Sequence, residues 1–93
     1  MLTGKEKRQL RAEGHHLSPE VHVGKEGISE GLIQNVLNTF NTKELVKIKV
    51  LEKCPLTAKE VAEQITSSID CELVQVLGRT ILLFKEMEDD EES

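Results

Sequence analysis

Apolar residues recur along this chain in two rhythms, and the changes of rhythm mark its elements. Ile28, Leu32, Ile33, Val36, Leu37 and Phe40 fall at three- and four-residue spacings, the stripe of an amphipathic helix. Leu45 to Leu51 alternates instead: Val46, Ile48 and Val50 point one way and Lys47 and Lys49 the other, as in a half-buried strand. Ala58, Val61, Ala62 and Ile65 restore the helical spacing behind Thr57-Ala58-Lys59-Glu60. That is a Thr-x-x-Glu capping box, in which each side chain takes an amide the helix start leaves unpaired. Two further apolar runs, Cys71 to Leu77 and Thr80 to Phe84, are parted by Gly78-Arg79. They read as a hairpin with Gly78 at a turn position needing positive φ.

The first quarter of the chain is more polar. Thr3 to about Glu13 reads as a basic helix with Thr3 as its cap and Gly14 closing it in the left-handed conformation. His15-His16-Leu17-Ser18-Pro19 is a connector, and Glu20 to Val23 has strand alternation. Ser29 is placed to cap the helix that follows, with Glu30 suited to its positive end. The order is α-β-α-β-α-β-β. The strand–helix–strand unit from Leu45 to Val76 implies a parallel pair with a right-handed crossover, and the final hairpin adds an antiparallel pair. The expected fold is an α/β (α+β) sandwich of three helices and a four-stranded mixed sheet.

Ninety-three residues make one domain, expected to cover 1–85, with an acidic, disordered tail at 86–93. There is no Trp or Tyr, and Phe40 and Phe84 sit in apolar patterns, so a deep aromatic-lined ligand pocket is not expected. The longest apolar runs, such as Ile81 to Phe84, are too short to span a bilayer. Cys54 and Cys71 form no CxxC pair, and without a signal peptide they read as reduced thiols in a cytoplasmic protein.

The formal charge of −5 conceals an asymmetry. Six acidic residues and no basic one lie from Glu86 onward; the remainder carries eleven acids against twelve Lys and Arg, about +1. Lys5, Lys7, Arg8 and Arg11 against Glu6 and Glu13 give the first helix +2. A basic face is therefore possible on an acidic chain. On that helix Lys7, Arg8 and Arg11 are expected to share one face, with Leu10 turned elsewhere.

Catalytic chemistry finds little footing. No nucleophile among Cys54, Cys71 and the hydroxyl residues stands in a motif with His15, His16 or His22, and adjacent histidines on a helix diverge by about 100°. No metal, cofactor or enzymatic activity is expected. Gly24-Lys25-Glu26-Gly27 carries more. Between a strand and a helix, two glycines let backbone amides approach an anion, the helix start adds a positive dipole end, and Lys25 adds charge. A GxxG loop clamps nucleic-acid backbone in KH domains in this way. Alone, the tetrapeptide is more often a tight turn. Lys47 and Lys49 on the exposed side of a strand, and Arg79 on a hairpin tip, raise the prospect of one surface that follows phosphates. The scarcity of aromatics argues against base stacking on strands, and so for structured RNA over single strands.

The chain also resembles the bacterial YhbY family of stand-alone CRM domains (chloroplast RNA splicing and ribosome maturation) from Leu2 to about Lys85. The matching stretches are Leu2-Thr3-Gly4-Lys5-Glu6-Lys7-Arg8 with Leu10-Arg11, His15-His16-Leu17, Val23 to Ser29, Glu44 to Val50, and Val76 to Phe84. Phe84 stands where the family often has Tyr. The resemblance implies a fold like the C-terminal domain of translation initiation factor three. It also implies binding of structured RNA through Gly24, Lys25, Glu26 and Gly27, flanked by Lys5, Lys7, Arg8, Arg11 and Arg79, with Lys47 and Lys49 less directly placed. By analogy it implies an assembly role on the precursor large (50S) ribosomal subunit, with its ribosomal RNA as partner. A monomer is the default. The alternative is a protein-interaction module that binds a basic ribosomal protein.

Overall fold

The computed structural model describes residues 2–86; the acidic residues from Glu88 onward lie outside them. The elements are α1 (Gly4–Gly14), β1 (Val21–Val23), α2 (Glu30–Phe40), β2 (Leu45–Val50), α3 (Ala58–Ser68), β3 (Glu72–Leu77) and β4 (Thr80–Phe84). The expected order and the mixed four-stranded sheet are present. Each helix begins at the residue whose side chain can hold its first amides. Thr3 and Thr57 both form complete capping boxes with Glu6 and Glu60, and Ser29 Oγ accepts the Leu32 amide at 3.1 Å.

The sheet order is β1-β2-β4-β3, with β1 and β2 parallel and the other pairs antiparallel. This corrects one expectation. β2 and β3 run in the same direction but are not neighbours, because β4 folds back between them. The reason lies in β4 itself: Ile81, Leu82 and Leu83 are all buried, a continuous apolar run that fits a central strand covered on both faces. β3 alternates more loosely and takes the edge, where Val74 and Gln75 together oppose Leu82 in a bulge. Gly78 has φ +59° and, among the described residues, no non-glycine residue has positive φ, so the turn has the Gly-first sign pattern of a two-residue hairpin.

The main core lies between one sheet face and α2 and α3. Val21, Ile48 and Ile81 form a fully buried row across β1, β2 and β4, and Val36, Phe40, Val61 and Ile65 descend on that face from the helices. Truncating Ile48 or Ile81 to Ala would cost about 2–5 kcal/mol, the usual range for a buried Ile.

Helix α1 covers the opposite face. Lys7, Leu10 and Arg11 are half-buried and Gly14 is buried, so this three- and four-residue series is the helix's inner side. Leu10 therefore shares a side with Lys7 and Arg11, whereas Lys5 and Arg8 are exposed. Gly14 also departs from expectation. It is the last residue of α1, has no positive φ, and is followed by His15 in right-handed helical conformation. Its role is close approach: a Cβ there would lie 2.5 Å from Leu82 Cδ2 and 2.9 Å from Leu82 Cδ1.

In an open helix Gly→Ala would gain about 1 kcal/mol. Here the sign is expected to reverse, with Gly14→Ala lowering thermal stability by about 1–3 kcal/mol through overpacking. The same change in a Leu82→Ala background should recover most of that loss, as measured by paired denaturant melts.

Candidate nucleic-acid interface

The site is built by two strand exits. Parallel pairing of Val21-His22-Val23 with Ile48-Lys49-Val50, extended by the Leu51 amide on the Val23 carbonyl at 2.9 Å, makes both chains leave the sheet at one end. From β1 the chain enters Gly24-Lys25-Glu26-Gly27, a turn closed by the Gly27 amide on the Gly24 carbonyl at 3.0 Å. Gly27, at φ +66°, supplies the left-handed residue, and it is buried against Pro55 and Leu56. Lys25 and Glu26 form the exposed tip. Gly24 has no positive φ; a Cβ there would lie 3.4 Å from Lys53 Cε, so the Lys53 stem passes over it.

Lys53 was missed in the sequence. It lies two residues past the Leu51 that β1 grips, in the connector to α3, and no local pattern marks it. Only the parallel register shows that the exit of β2 borders the glycine loop.

The third contributor is the β3–β4 turn. The Arg79 carbonyl accepts the Val50 amide at 2.8 Å, and Arg79 Nη1 lies 3.4 Å from the Leu51 carbonyl, a long contact. Lys25, Lys53 and Arg79, all exposed, thus gather at one end of the sheet from three separate segments. None of the three forms an ion pair among the described residues. Glu26 and Glu52 lie beside them in sequence, so the cluster is an arrangement of directed donors more than a strong field.

The remaining predicted residues divide. Lys49 is half-buried on the α1 face, in a row with His22, Thr80 and Leu77 that lies directly below the Arg79 turn. Arg11 lies across a cleft from Thr80 and Leu77, which joins α1 to the same surface. Lys5, Lys7 and Arg8 lie on α1, with Lys7 half-buried and Lys5 and Arg8 exposed. Lys47 is corrected outright. It is not an exposed cation: its ammonium donates to the carbonyls of Gly14 and Leu17, both at 3.0 Å. There it neutralises the negative end of α1 and closes acceptors the helix leaves open.

The helix start contributes less to the loop than expected. Ile28 and Ser29 separate Gly27 from α2, Ser29 Oγ occupies the Leu32 amide, and Glu30 brings a negative charge to the first turn. As for reactive groups, burial, with Asp70 and Glu72 adding to it, pushes the half-buried Cys71 thiol up to about 11, so it stays protonated near neutral pH. Among the described residues, no three His, Cys, Asp or Glu side chains are grouped to hold a metal, and no helix is long and apolar enough to cross a membrane.

A split mixed sheet with one helix on one face, two on the other, and a glycine loop at the exit of the parallel pair defines a recognisable domain class. Over residues 2–85 the sequence matches the CRS1 / YhbY (CRM) domain, and the chain belongs to that family. It is 39% identical to "Probable RNA-binding protein YqeI" of Bacillus subtilis, over 99% of this chain and 96% of that one. It is 45% identical to a Methanocaldococcus jannaschii protein also named as RNA-binding, over 94% of this chain and 66% of that one. The solution structure of SAV1595 from Staphylococcus aureus, described as a candidate RNA-binding protein, superposes with a TM-score of 0.77 at 38% identity, covering 99% of this chain and 96% of that one.

Lys47→Met is expected to lower folding stability by about 1–2 kcal/mol, because two half-buried carbonyls lose their donor. Chemical denaturation should show that loss, while any nucleic-acid affinity of the folded variant stays unchanged.

Proposed function

We propose that this chain is an RNA-binding domain that grips the sugar–phosphate backbone of structured RNA at the exit of β1 and β2. The observation that carries the reading is the convergence of the Gly24–Gly27 turn with Lys25, Lys53 and Arg79, each exposed and each from a different segment. Three donor-bearing side chains on loops at one end of the sheet suit contacts to a phosphate backbone. The RNA-binding names of relatives that match nearly the whole chain support the same partner. Of the two aromatic rings Phe40 is buried and Phe84 half-buried, which favours recognition by backbone and shape. The domain acts by binding, with no chemical step, as a cytoplasmic monomer. Its proposed target is the ribosomal RNA of the precursor large subunit, where it serves assembly; that last step draws on family resemblance.

Backbone contacts release counterions, so affinity should fall linearly with log salt, with a slope of about −2 to −4 for three or four phosphate contacts. Lys25→Ala and Lys53→Ala should each weaken binding and reduce the slope by about one, whatever the RNA sequence. Fluorescence anisotropy on a labelled fragment of large-subunit RNA between low and moderate salt measures both. Affinity that is flat in salt contradicts the backbone grip and favours the protein-interaction alternative.

A further inference from the structure

Beside the strand exits, on the α1 face of the sheet, lies a cleft of about 90 Å³ that the backbone grip leaves unused. Arg11 and His15 at the end of α1 form one wall; Gln75, Leu77 and Thr80 on β3 and β4 form the other, with Leu82 among its lining residues. Pockets that enclose drug-sized ligands run to about 300–1,000 Å³, so this one is too small for such a substrate, yet several times larger than a single water needs.

Its chemistry is mixed in a particular way. Lys47, also at the cleft, already donates to Gly14 and Leu17, which leaves Arg11 as the unpaired cation there among the described residues. The side chains of Arg11, His15, Gln75 and Thr80 form no hydrogen bond or ion pair among the described residues, although all four border one small space. A Gln amide offers donors and an acceptor together, and a Thr hydroxyl offers both functions. Leu77 stands at the cleft 59% exposed, the one large apolar side chain so exposed among the described residues. A phosphate would use neither the amide's acceptor nor the leucines. A heteroaromatic base would use both, with its edge on Gln75 or Thr80, its face on Leu77, and the Arg11 guanidinium able to stack on it or meet its phosphate. Leu77 and Thr80 also flank the Gly78-Arg79 turn, which sets the cleft beside Arg79.

We infer that this cleft receives the base of a single unpaired nucleotide extruded from the structured RNA, its sugar and phosphate staying outside, which gives the domain a preference for helices interrupted by a bulge. The inference builds on the RNA-binding reading above.

Two RNA hairpins that share one stem sequence, one fully paired and one with a single bulged nucleotide, test it by anisotropy titration at fixed salt. The wild type should bind the bulged hairpin about five- to tenfold more tightly, the scale of one or two hydrogen bonds. Gln75→Ala and Leu77→Ser should each remove most of that preference and leave affinity for the paired hairpin within about twofold, because neither residue belongs to the backbone grip. Lys53→Ala should weaken both hairpins equally. Equal wild-type affinity for the two hairpins, or a preference that survives both cleft substitutions, overturns the nucleotide site while leaving the grip standing. Failure of the wild type to bind either hairpin overturns the grip and the cleft together.

Discussion

The pairing of β1 with β2 is the interaction on which the site depends. β1 has only three residues, and its two valines are fully buried. Their contact with α2 and with the Ile48–Val50 end of β2 fixes a parallel register, and that register alone decides which backbone exits become neighbours. A slip of one residue would turn Val21 and Val23 to the α1 face and His22 into the core, so the hydrophobic cost enforces the register. The glycine loop, Lys53 and Arg79 meet because apolar side chains elsewhere demand it. The proposed site is a by-product of where the core puts the ends of strands.

The two faces of the sheet are used differently. One carries the large core beneath α2 and α3, which supplies most of the burial. The other is covered by a single basic helix whose end is fastened by Lys47 and by the close contact of Gly14 with Leu82. Because α1 covers that face only in part, the row of His22, Lys49, Thr80 and Leu77 stays accessible beneath the Arg79 turn. Partial cover keeps polar groups at a surface that could meet a ligand.

Most of the fold was legible in the sequence because its signals are local. Three N-caps, the alternation of Leu45 to Leu51, and glycine in the hairpin turn each act within a few residues. What escaped depends on contacts between distant segments. The central place of β4 is implied by the unbroken Ile81-Leu82-Leu83, but that run reads equally well as one half of a simple hairpin. Gly14 looked like a left-handed cap, whereas its constraint comes from Leu82. Lys47 looked like an exposed strand cation, and only the position of α1 shows that carbonyls consume its charge. The glycine loop was recognised from the tetrapeptide, but its neighbour Lys53 could not be, since nothing in Glu52-Lys53-Cys54 records that β1 lies alongside.

The central claim is that RNA is met at the exit of the parallel pair. Amide chemical-shift mapping of the labelled protein, titrated with a structured fragment of large-subunit RNA, tests it directly. The account predicts that the largest perturbations fall on residues 24–27, Lys53 and the Gly78-Arg79 turn, with smaller ones along the cleft below. Perturbations concentrated on the outer sides of α2 and α3, with the glycine loop unmoved, would contradict it.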